Sequence, residues 1–215
     1  ERAQELIDIA HPDDREELVR QAKEAKLLYA DQIYFPESGH LYPARLIGTH
    51  EFKDGLKILF RPIKPSDEEK MRDLFYRFSD QAVYSRYFTS IKTMPHKKMQ
   101  EYVNVNYRSA LSLVGVVEIA GSEKIIAEAR YVRIKQDAFA DVAFVVDEDY
   151  QGKGIASYLF ELLIRAAREE GIKGFTADVL ASNKSMLKVF EKAPFPVQTV
   201  LTRGIYELTI PFSSE

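Results

Sequence analysis

The stretch VAFVVDEDYQGKGIASYLFELL, residues 142–163, decides the fold. It opens with an apolar run typical of a buried strand and closes with a helical pattern in which Ile155 and Leu159 share one face. Between the two stands Gln-Gly-Lys-Gly, where Gly152 and Gly154 lack a Cβ and let a ligand approach the backbone closely. The stretch therefore predicts a strand, a tight turn and an amphipathic helix.

The rest of the chain continues this alternation of strands and helices. Residues 56–215 read in order as β-α-α-β-β-β-α-β-α-β-β, with three consecutive strands before the glycine turn and a strand pair at the end. Residues 1–55 differ, because two helical segments interrupted at Pro12 are followed by a stretch rich in proline and glycine without any period. We therefore predict a helical extension and linker over residues 1–55 and a mixed α/β domain over residues 56–215.

Composition limits the classes of function that are open to the chain. The 215 residues carry a net charge of −3, so no basic field argues for a nucleic-acid partner. The chain contains no cysteine and its four histidines are scattered, so we expect no disulfide, no thiolate nucleophile and no metal site. Since no apolar run approaches the roughly 20 residues of a membrane span, we expect a cytoplasmic protein without a membrane partner.

The glycine turn has the properties of an anion site. A helix that begins near Gly154 presents unpaired backbone N–H groups and the positive end of its dipole, and Lys153 adds a mobile positive charge. Together they would suit a phosphate or pyrophosphate group. A P-loop is excluded because Lys-Ser/Thr does not follow at the required spacing, and Ser157 stands where a dinucleotide fingerprint needs its third glycine. A turn that uses glycine only for its conformation remains the alternative.

The surroundings of the turn carry a family resemblance. Gln151, Gly154 and Ala156 follow the pattern Q/R-x-x-G-x-G/A between an apolar strand and an amphipathic helix, and Asn183 stands further along at a strand-to-helix junction. In these features the chain resembles the GNAT N-acetyltransferase family over residues 57–210. The resemblance implies a GNAT fold, which is a mixed central β-sheet with helices on both faces, and acetyl-CoA as co-substrate.

The resemblance also implies how acetyl-CoA would be held. Backbone near Val145 and Val146 would pair with the pantetheine where their strand separates from its neighbour, and could hydrogen-bond the thioester oxygen. Asn183 would flank the other side of the pantetheine, although a simple helix N-cap is the alternative role for this residue. The pyrophosphate would be bound by backbone amides of the turn, from Gln151, Gly152, Lys153, Gly154, Ile155 and Ala156.

Transfer of an acetyl group to an amine needs the amine in its neutral form, so a general base is expected. In bacterial protein-lysine acetyltransferases, which this segment resembles most closely, a catalytic Glu stands at the position matched here by Asp141. Asp is one methylene shorter, so a water could be required between Asp141 and the amine. Glu128 on the preceding strand is the alternative base, and either acid could instead be a surface residue of its strand.

The position of the general acid departs from the family pattern. Many GNAT enzymes carry a Tyr in the helix after the Asn, but this chain has Phe190 there, which cannot donate a proton. Either another group protonates the leaving thiolate, or the thiolate leaves unassisted, or catalysis is weak. Tyr150 and Tyr158 are near the glycine turn in sequence.

The N-terminal segment carries a second resemblance. ELIDIAHPDDREELVRQAKEAKLLYADQIY, residues 5–34, resembles the C-terminal end of the acetyl-CoA hydrolase and CoA-transferase family. This implies a parent protein in which a CoA-transferase-like enzyme is fused to the acetyltransferase domain, with residues 1–55 packing on that domain. A generic helical extension is the alternative.

These observations lead to one principal functional hypothesis and two alternatives. The principal hypothesis is direct transfer of acetyl from acetyl-CoA to a protein lysine, with a carboxylate as general base. The first alternative is the same reaction on a small amine. The second is a weakly active module that senses acetyl-CoA for a fused CoA-transferase, which Phe190 and the short side chain of Asp141 favour.

Overall fold

The strands predicted from alternation form one mixed sheet. The structure is a computed structural model, and it describes residues 2–34, 42–53, 55–133 and 138–212. The strands are β1 (Gly48–Glu51), β2 (Lys57–Pro62), β3 (Ala110–Ile119), β4 (Ser122–Arg133), β5 (Phe139–Val146), β6 (Gly174–Leu180), β7 (Gln198–Thr202) and β8 (Ile205–Pro211). Their order in the sheet is β1-β2-β3-β4-β5-β6-β8-β7. Neighbouring strands are antiparallel except for β5 and β6, which are parallel.

Helices are present on both sides of the sheet and in the N-terminal extension, with three rather than the predicted two between β2 and β3. They are α1 (Arg2–Ile9), α2 (Pro12–Glu24), α3 (Glu68–Tyr76), α4 (Asp80–Tyr87), α5 (His96–Val103), α6 (Ile155–Glu169) and α7 (Lys184–Glu191). None of the helices in the described part of the chain has the length and apolar content needed to span a bilayer.

Alternating side chains of the strands build two separate cores. On β5, Val142, Phe144 and Val146 belong to the core that the sheet shares with α6 and α7. Val145 points to the opposite face, where it joins a second core with α3, α4 and α5. The predicted mixed sheet with helices on both faces is therefore confirmed, and β5 is packed from both sides.

The far part of the sheet, formed by β6, β8 and β7, presents an exposed outer face. Phe175 and Ala177 of β6 and Leu208 of β8 are buried in the core shared with α6 and α7. The side chains that alternate with them, Asp178 and Glu207, are exposed. These two residues are register partners, so they lie side by side on the outer face.

The predicted linker contains a strand. Residues 48–51 form β1, which pairs with β2 through a hairpin in which the Phe52 N–H donates to the Leu56 carbonyl at 2.9 Å. The sequence does not predict this strand, because Gly-Thr-His-Glu has no apolar alternation and is held by its pairing partner. Residues 35–41 of the predicted linker lie outside the described residues. The division of the chain at residue 55 stays a prediction.

The N-terminal helices have a small core of their own and are tied to α5. Ile7, Val19 and Ala22 form this core. After α2, the chain reaches α5, where Gln32 Nε2 donates to Gln100 Oε1 at 2.5 Å. These contacts hold the extension against the larger domain.

Candidate active site

The parallel pair β5 and β6 separates partway along its length. The register ends at Asp141 opposite Thr176, whereas β5 continues to Val146 and β6 to Leu180. A pocket of about 970 Å³ opens between the separated strands and is bordered by α4, the glycine turn and α7. This volume lies at the upper end of the range for small-molecule pockets, which is roughly 300 to 1,000 Å³.

The glycine turn lies at one end of this pocket. Gly152 and Gly154 have φ of +75° and +90°, a left-handed conformation that side chains rarely adopt. A Cβ added at either position would meet nothing within 4 Å, so backbone conformation and room for a ligand, rather than protein packing, account for both glycines. Gly154 is the N-cap of α6 and supplies no side-chain cap. The first N–H groups of α6 therefore remain available to an anion in the pocket.

The other turn residues take different positions. Gln151 and Ala156 line the pocket, as does the buried Ile155. Gln151 also fastens the turn to β5, since its Nε2 donates to the Val146 carbonyl at 3.0 Å. Lys153 belongs to the turn but not to the pocket wall.

Val145 and Val146 differ in the direction of their backbone groups. Val146 is opposite Ala127 in the register of β4 and β5, and Val145 is opposite Glu128. The Asp147 N–H donates to a carbonyl of β4 at 2.8 Å, which makes the Val146 pair non-hydrogen-bonded and the Val145 pair hydrogen-bonded. The N–H and C=O of Val146 therefore turn toward the opening beside β6, whereas those of Val145 are directed to β4.

Asn183 lies at the start of α7 on the opposite wall of the pocket. Its Oδ1 accepts hydrogen bonds from the Met186 N–H at 3.1 Å and from Ser185 Oγ at 2.9 Å. It is therefore the N-cap of α7. Because it also lines the pocket, the cap and a contact with a ligand are compatible.

Asp141 lies where the two strands separate, at the end of the pocket away from the glycine turn. Its side chain is exposed, and Thr176 Oγ1 donates to its Oδ1 at 3.5 Å. The pocket walls remove part of its solvent and Asp178 adds a like charge, and both effects raise the pKa of the Asp141 carboxyl above its ordinary value. The positive charge of Arg86 opposes this rise in pKa. A carboxylate with a raised pKa is a stronger proton acceptor, which suits a general base.

Glu128 is fully buried and is not part of the pocket wall. Its carboxylate accepts hydrogen bonds from Arg130 Nε at 2.6 Å, Ser112 Oγ at 2.7 Å and Tyr102 OH at 2.7 Å. Burial alone would raise the pKa of Glu128, but the charges of Arg130 and Arg86 outweigh burial and lower it. Glu128 therefore forms a buried ion pair with Arg130 within β4, and its hydrogen bond with Tyr102 joins β4 to α5.

Aromatic residues near the turn also have distinct surroundings. Phe190 is only 2% exposed, and its ring packs against that of Phe144 with a centroid distance of 5.7 Å. The position at which many GNAT enzymes carry Tyr is thus largely a core position in this chain. Of the two tyrosines, Tyr150 lines the pocket, whereas Tyr158 stacks on His50 at 4.1 Å.

Sequence reasoning missed many residues of the pocket wall, among them Arg86, Phe88 and Asp178. Phe88 ends α4 with φ of +54°, a left-handed conformation that is unusual for a bulky residue. Asp178 could have been found, because strict alternation in GFTADVL puts Thr176 and Asp178 on one polar face of β6. Arg86 could not, because its place depends on how α4 packs across the sheet.

The chemistry of the pocket fits acetyl-CoA. The uncapped N–H groups of α6 suit a pyrophosphate, and the open edge of β5 offers backbone groups to the amides of an extended pantetheine. Among the described residues, no group of three or more His, Asp or Glu side chains is arranged to hold a metal ion.

Known proteins share the sequence and fold of this domain. The chain is 35% identical over 144 residues to Acetyltransferase Pat of Mycolicibacterium smegmatis, and the match covers 66% of this chain and 42% of that protein. The solved GNAT domain of S. lividans PAT has 30% identity and a TM-score of 0.72, covering 80% of this chain and 99% of that one. A cAMP-binding acyltransferase from Mycobacterium smegmatis has 25% identity and a TM-score of 0.57, covering 93% of this chain and 57% of that one. This chain therefore spans less than half the length of Acetyltransferase Pat.

The family of the chain follows from the residues that match. A family model described as Acetyltransferase (GNAT) family matches residues 69–195, more than half of the chain. The matched segment contains both separated strands, the glycine turn and Asn183, which together form most of the pocket wall. This chain belongs to the Acetyltransferase (GNAT) family, whose members use acetyl-CoA as co-substrate.

Proposed function

We propose that the chain transfers acetyl from acetyl-CoA directly to a protein lysine, with Asp141 as the general base. One observation carries the proposal: the pocket runs from the uncapped start of α6 along the open edge of β5 to the exposed carboxylate of Asp141. Since β5 covers about 17 Å between Val146 and Asp141, a CoA ester held by its pyrophosphate at the turn would extend its acyl end toward Asp141. The resemblance of residues around Asp141 to bacterial protein-lysine acetyltransferases supports a protein as the acceptor.

The chain would hold acetyl-CoA mainly through its backbone. The amides of residues 151–156 would bind the pyrophosphate, with Lys153 as a mobile cation beside them. Val146 would offer its backbone N–H to the pantetheine, since its carbonyl accepts from Gln151, and Val145 would support this strand through the pairing with β4. Asn183 would contact the pantetheine from the opposite wall while it caps α7.

Asp141 would act on the acceptor amine. Its carboxylate takes a proton from the ammonium, directly or through one water, and the neutral nitrogen then attacks the thioester carbonyl carbon. Backbone N–H groups at the open edge of β5 stabilise the negative charge that develops on the carbonyl oxygen. The C–S bond breaks as the amide forms, and the remaining excess proton of the nitrogen passes to the thiolate or to solvent.

Glu128, the alternative base predicted from the sequence, is not proposed for this role. Its carboxylate is buried and hydrogen-bonded to three side chains, so an acceptor amine has no path to it. Its lowered pKa also makes it a weaker proton acceptor than Asp141.

A small amine as acceptor and an acetyl-CoA sensor are the alternative functions. The sensor is favoured by one observation: Phe190 lines the pocket but has no hydroxyl group that could protonate the leaving thiolate. We further propose that residues 1–55 are the tail of a CoA-transferase-like region fused to the acetyltransferase in the cytoplasm. The resemblance of residues 5–34 and the separate core of α1 and α2 support this arrangement.

The test is mass spectrometry for new acetyl-lysine after incubation of the chain with acetyl-CoA and a bacterial lysate. We expect a few defined lysines to be acetylated, and Asp141→Asn to lower the rate by about 10²- to 10⁴-fold. Asp73→Asn makes the same chemical change at an exposed site on α3 outside the pocket wall, and should leave the rate unchanged.

The outcomes separate the three functions. Acetylation no greater than acetyl-CoA gives without the chain would exclude the protein substrate. Transfer to a polyamine such as spermidine would then support the small-amine enzyme. Binding of acetyl-CoA in calorimetry, without transfer to lysate proteins or to spermidine, would support the sensor.

A further inference from the structure

The pocket contains a second carboxylate that the reaction described above does not use. Asp178 on β6 lines the pocket and is exposed. We propose that its carboxylate binds the ammonium form of the acceptor and so selects cationic primary amines. The inference deepens the proposed function and rests on it, because it names the residue that brings the amine to Asp141.

The register of the sheet puts Asp178 on the same face as Asp141. Asp141 is opposite Thr176, and side chains two residues apart on a strand point the same way. Asp178 therefore follows Thr176 on this face, about 7 Å further along β6 and level with Ala143 of β5. Beyond Thr176 the strands separate, so the two carboxylates stand on opposite walls of the opening.

The charges at the Asp141 end of the pocket favour a cationic acceptor. Partial burial and the like charge of Asp178 both raise the pKa of Asp141, in keeping with the position of the two residues on one face of the sheet. Arg86 is the cation facing Asp141, but its guanidinium also contacts the buried groups around Glu128. Its Nη2 donates to Tyr102 OH at 3.2 Å and lies 4.0 Å from the Glu128 carboxylate. An ammonium between Asp141 and Asp178 would balance the charge that Arg86 compensates only in part.

The exposed outer face of the sheet gives the amine a route to this position. Asp178 is the register partner of Glu207 on β8, and both side chains are exposed. The opposite face of β6 is buried in the core with α6 and α7, and the far end of the pocket is formed by the glycine turn. A lysine side chain that arrives over the outer face can therefore reach the opening between Asp141 and Asp178 while the thioester lies along β5.

The first measurement is steady-state kinetics with a synthetic peptide around the lysine most heavily acetylated in the lysate, or with spermidine if no lysine is acetylated. In Asp178→Asn we expect the KM for the amine to rise about 5- to 10-fold with kcat nearly unchanged. The KM for acetyl-CoA should stay within about twofold, because Asp178 does not bind the cofactor. Asp178→Glu keeps the charge and should restore most of the affinity.

Glu207→Gln is the matched control, since it removes the same charge from an exposed site one strand further, outside the pocket wall. An equal rise in KM for Glu207→Gln would show a general effect of surface charge and overturn the inference. An unchanged KM for the amine in Asp178→Asn would overturn it as well.

The second measurement needs no turnover and so separates this inference from the proposed function. Carbon-13 NMR titration of the Asp141 carboxyl should show a lower pKa in Asp178→Asn than in the unaltered chain, because a like charge has been removed. An unchanged Asp141 pKa would show that the two carboxylates do not share one site. Failure of the proposed function would be seen elsewhere, as absence of lysine acetylation or as full activity of Asp141→Asn.

Discussion

Glu128 and Asp141 lie on the same face of neighbouring strands, yet their surroundings are opposite. Glu128 is the register partner of Val145, which lies four residues along β5 from Asp141, so all three side chains point the same way. Helices α4 and α5 close over Glu128 with Arg86 and Tyr102. At Asp141 the strands separate and the pocket opens.

The packing of helices on this face of the sheet, rather than the residue type, determines whether each carboxylate is structural or can take part in proton transfer. At the closed end, guanidinium and hydroxyl groups replace water and keep Glu128 ionised and immobile. At the open end, Asp141 keeps contact with solvent and has a raised pKa, so it can exchange a proton with a ligand. The same change from carboxylate to amide should therefore affect stability at one position and chemistry at the other.

The largest effect on stability is expected from Glu128→Gln. The amide cannot balance Arg130 and Arg86, and it leaves buried cations without their carboxylate. Breaking a buried ion pair by removing one partner destabilises proteins by about 3–5 kcal/mol. Urea denaturation at neutral pH should show a loss of this size in the free energy of unfolding.

Glu118→Gln is the control for this prediction, because Glu118 is exposed near the end of β3. Its change in stability should stay within about 0.5 kcal/mol. We call the buried group formed by Glu128, Arg130, Arg86 and Tyr102 the closed cluster. If Glu128→Gln were as stable as Glu118→Gln, the closed cluster would contribute no more to stability than a surface charge, and the contrast with Asp141 would fail.

Most of the fold could be predicted from the sequence, because most of its strands and helices carry a recognisable pattern of apolar residues. Alternation or apolar runs bounded by turn residues predicted β2 to β8, and the pattern at Gln151, Gly154 and Ala156 together with Asn183 identified two walls of the pocket. The short edge strand β1 could not be predicted, since only its pairing with β2 defines it.

The roles of Glu128 and Asp141 could not be separated from the sequence alone. Each is an acidic residue within a predicted strand, and either could serve as a general base as far as the neighbouring sequence shows. The difference comes from α4 and α5, whose side chains reach Glu128 from 26 to 42 positions earlier in the chain. Arg86 was missed for the same reason, because long-range packing of α4 brings it to the pocket.

Tyr102→Phe should weaken the closed cluster by a smaller amount than Glu128→Gln. The change removes a hydrogen bond to Glu128 at 2.7 Å and one from Arg86 at 3.2 Å, without changing the charges. A lost hydrogen bond to a charged group costs about 1.5–3 kcal/mol. The check is urea denaturation beside Tyr84→Phe, whose ring is 45% exposed on α4. Equal stability of the two variants would contradict the prediction.

The pH dependence of activity should report Asp141 and not Glu128. As pH falls through the raised pKa of Asp141, the base becomes protonated, and kcat/KM should drop about tenfold for each further pH unit. This acidic limb of the pH profile of kcat/KM should have its midpoint above the ordinary Asp pKa of about 3.9. Asp141→Asn should retain only a low activity without this limb.

Stability should persist through the same pH range. The pKa of Glu128 is lowered, so its contribution to stability is fully present above about pH 4.3 and is lost only as pH falls through the folded-state value. Circular dichroism should therefore show a folded protein where kcat/KM is already falling. Coincident loss of structure and activity would mean that the acid limb reports unfolding.

The smallest expected effect, with the opposite sign, is that of Asp141→Asn on stability. A carboxyl whose pKa is raised in the folded state opposes folding once it ionises, so the unaltered protein loses stability as pH rises from the unfolded-state pKa to the folded-state pKa. The amide lacks this effect, and the weak contact with Thr176 at 3.5 Å adds little. Because solvent screens an exposed group, we expect Asp141→Asn to be as stable as the unaltered chain or more stable by less than about 1 kcal/mol at neutral pH.

Urea denaturation at neutral pH and again near pH 3 tests this sign. Any gain in the free energy of unfolding should be present at neutral pH. It should disappear near pH 3, where the Asp141 carboxyl of the unaltered chain is protonated in both the folded and the unfolded state. A destabilisation of more than about 1 kcal/mol would make Asp141 a structural residue like Glu128. Loss of activity in Asp141→Asn could then come from damage to the fold, whereas unchanged stability leaves proton transfer as its cause.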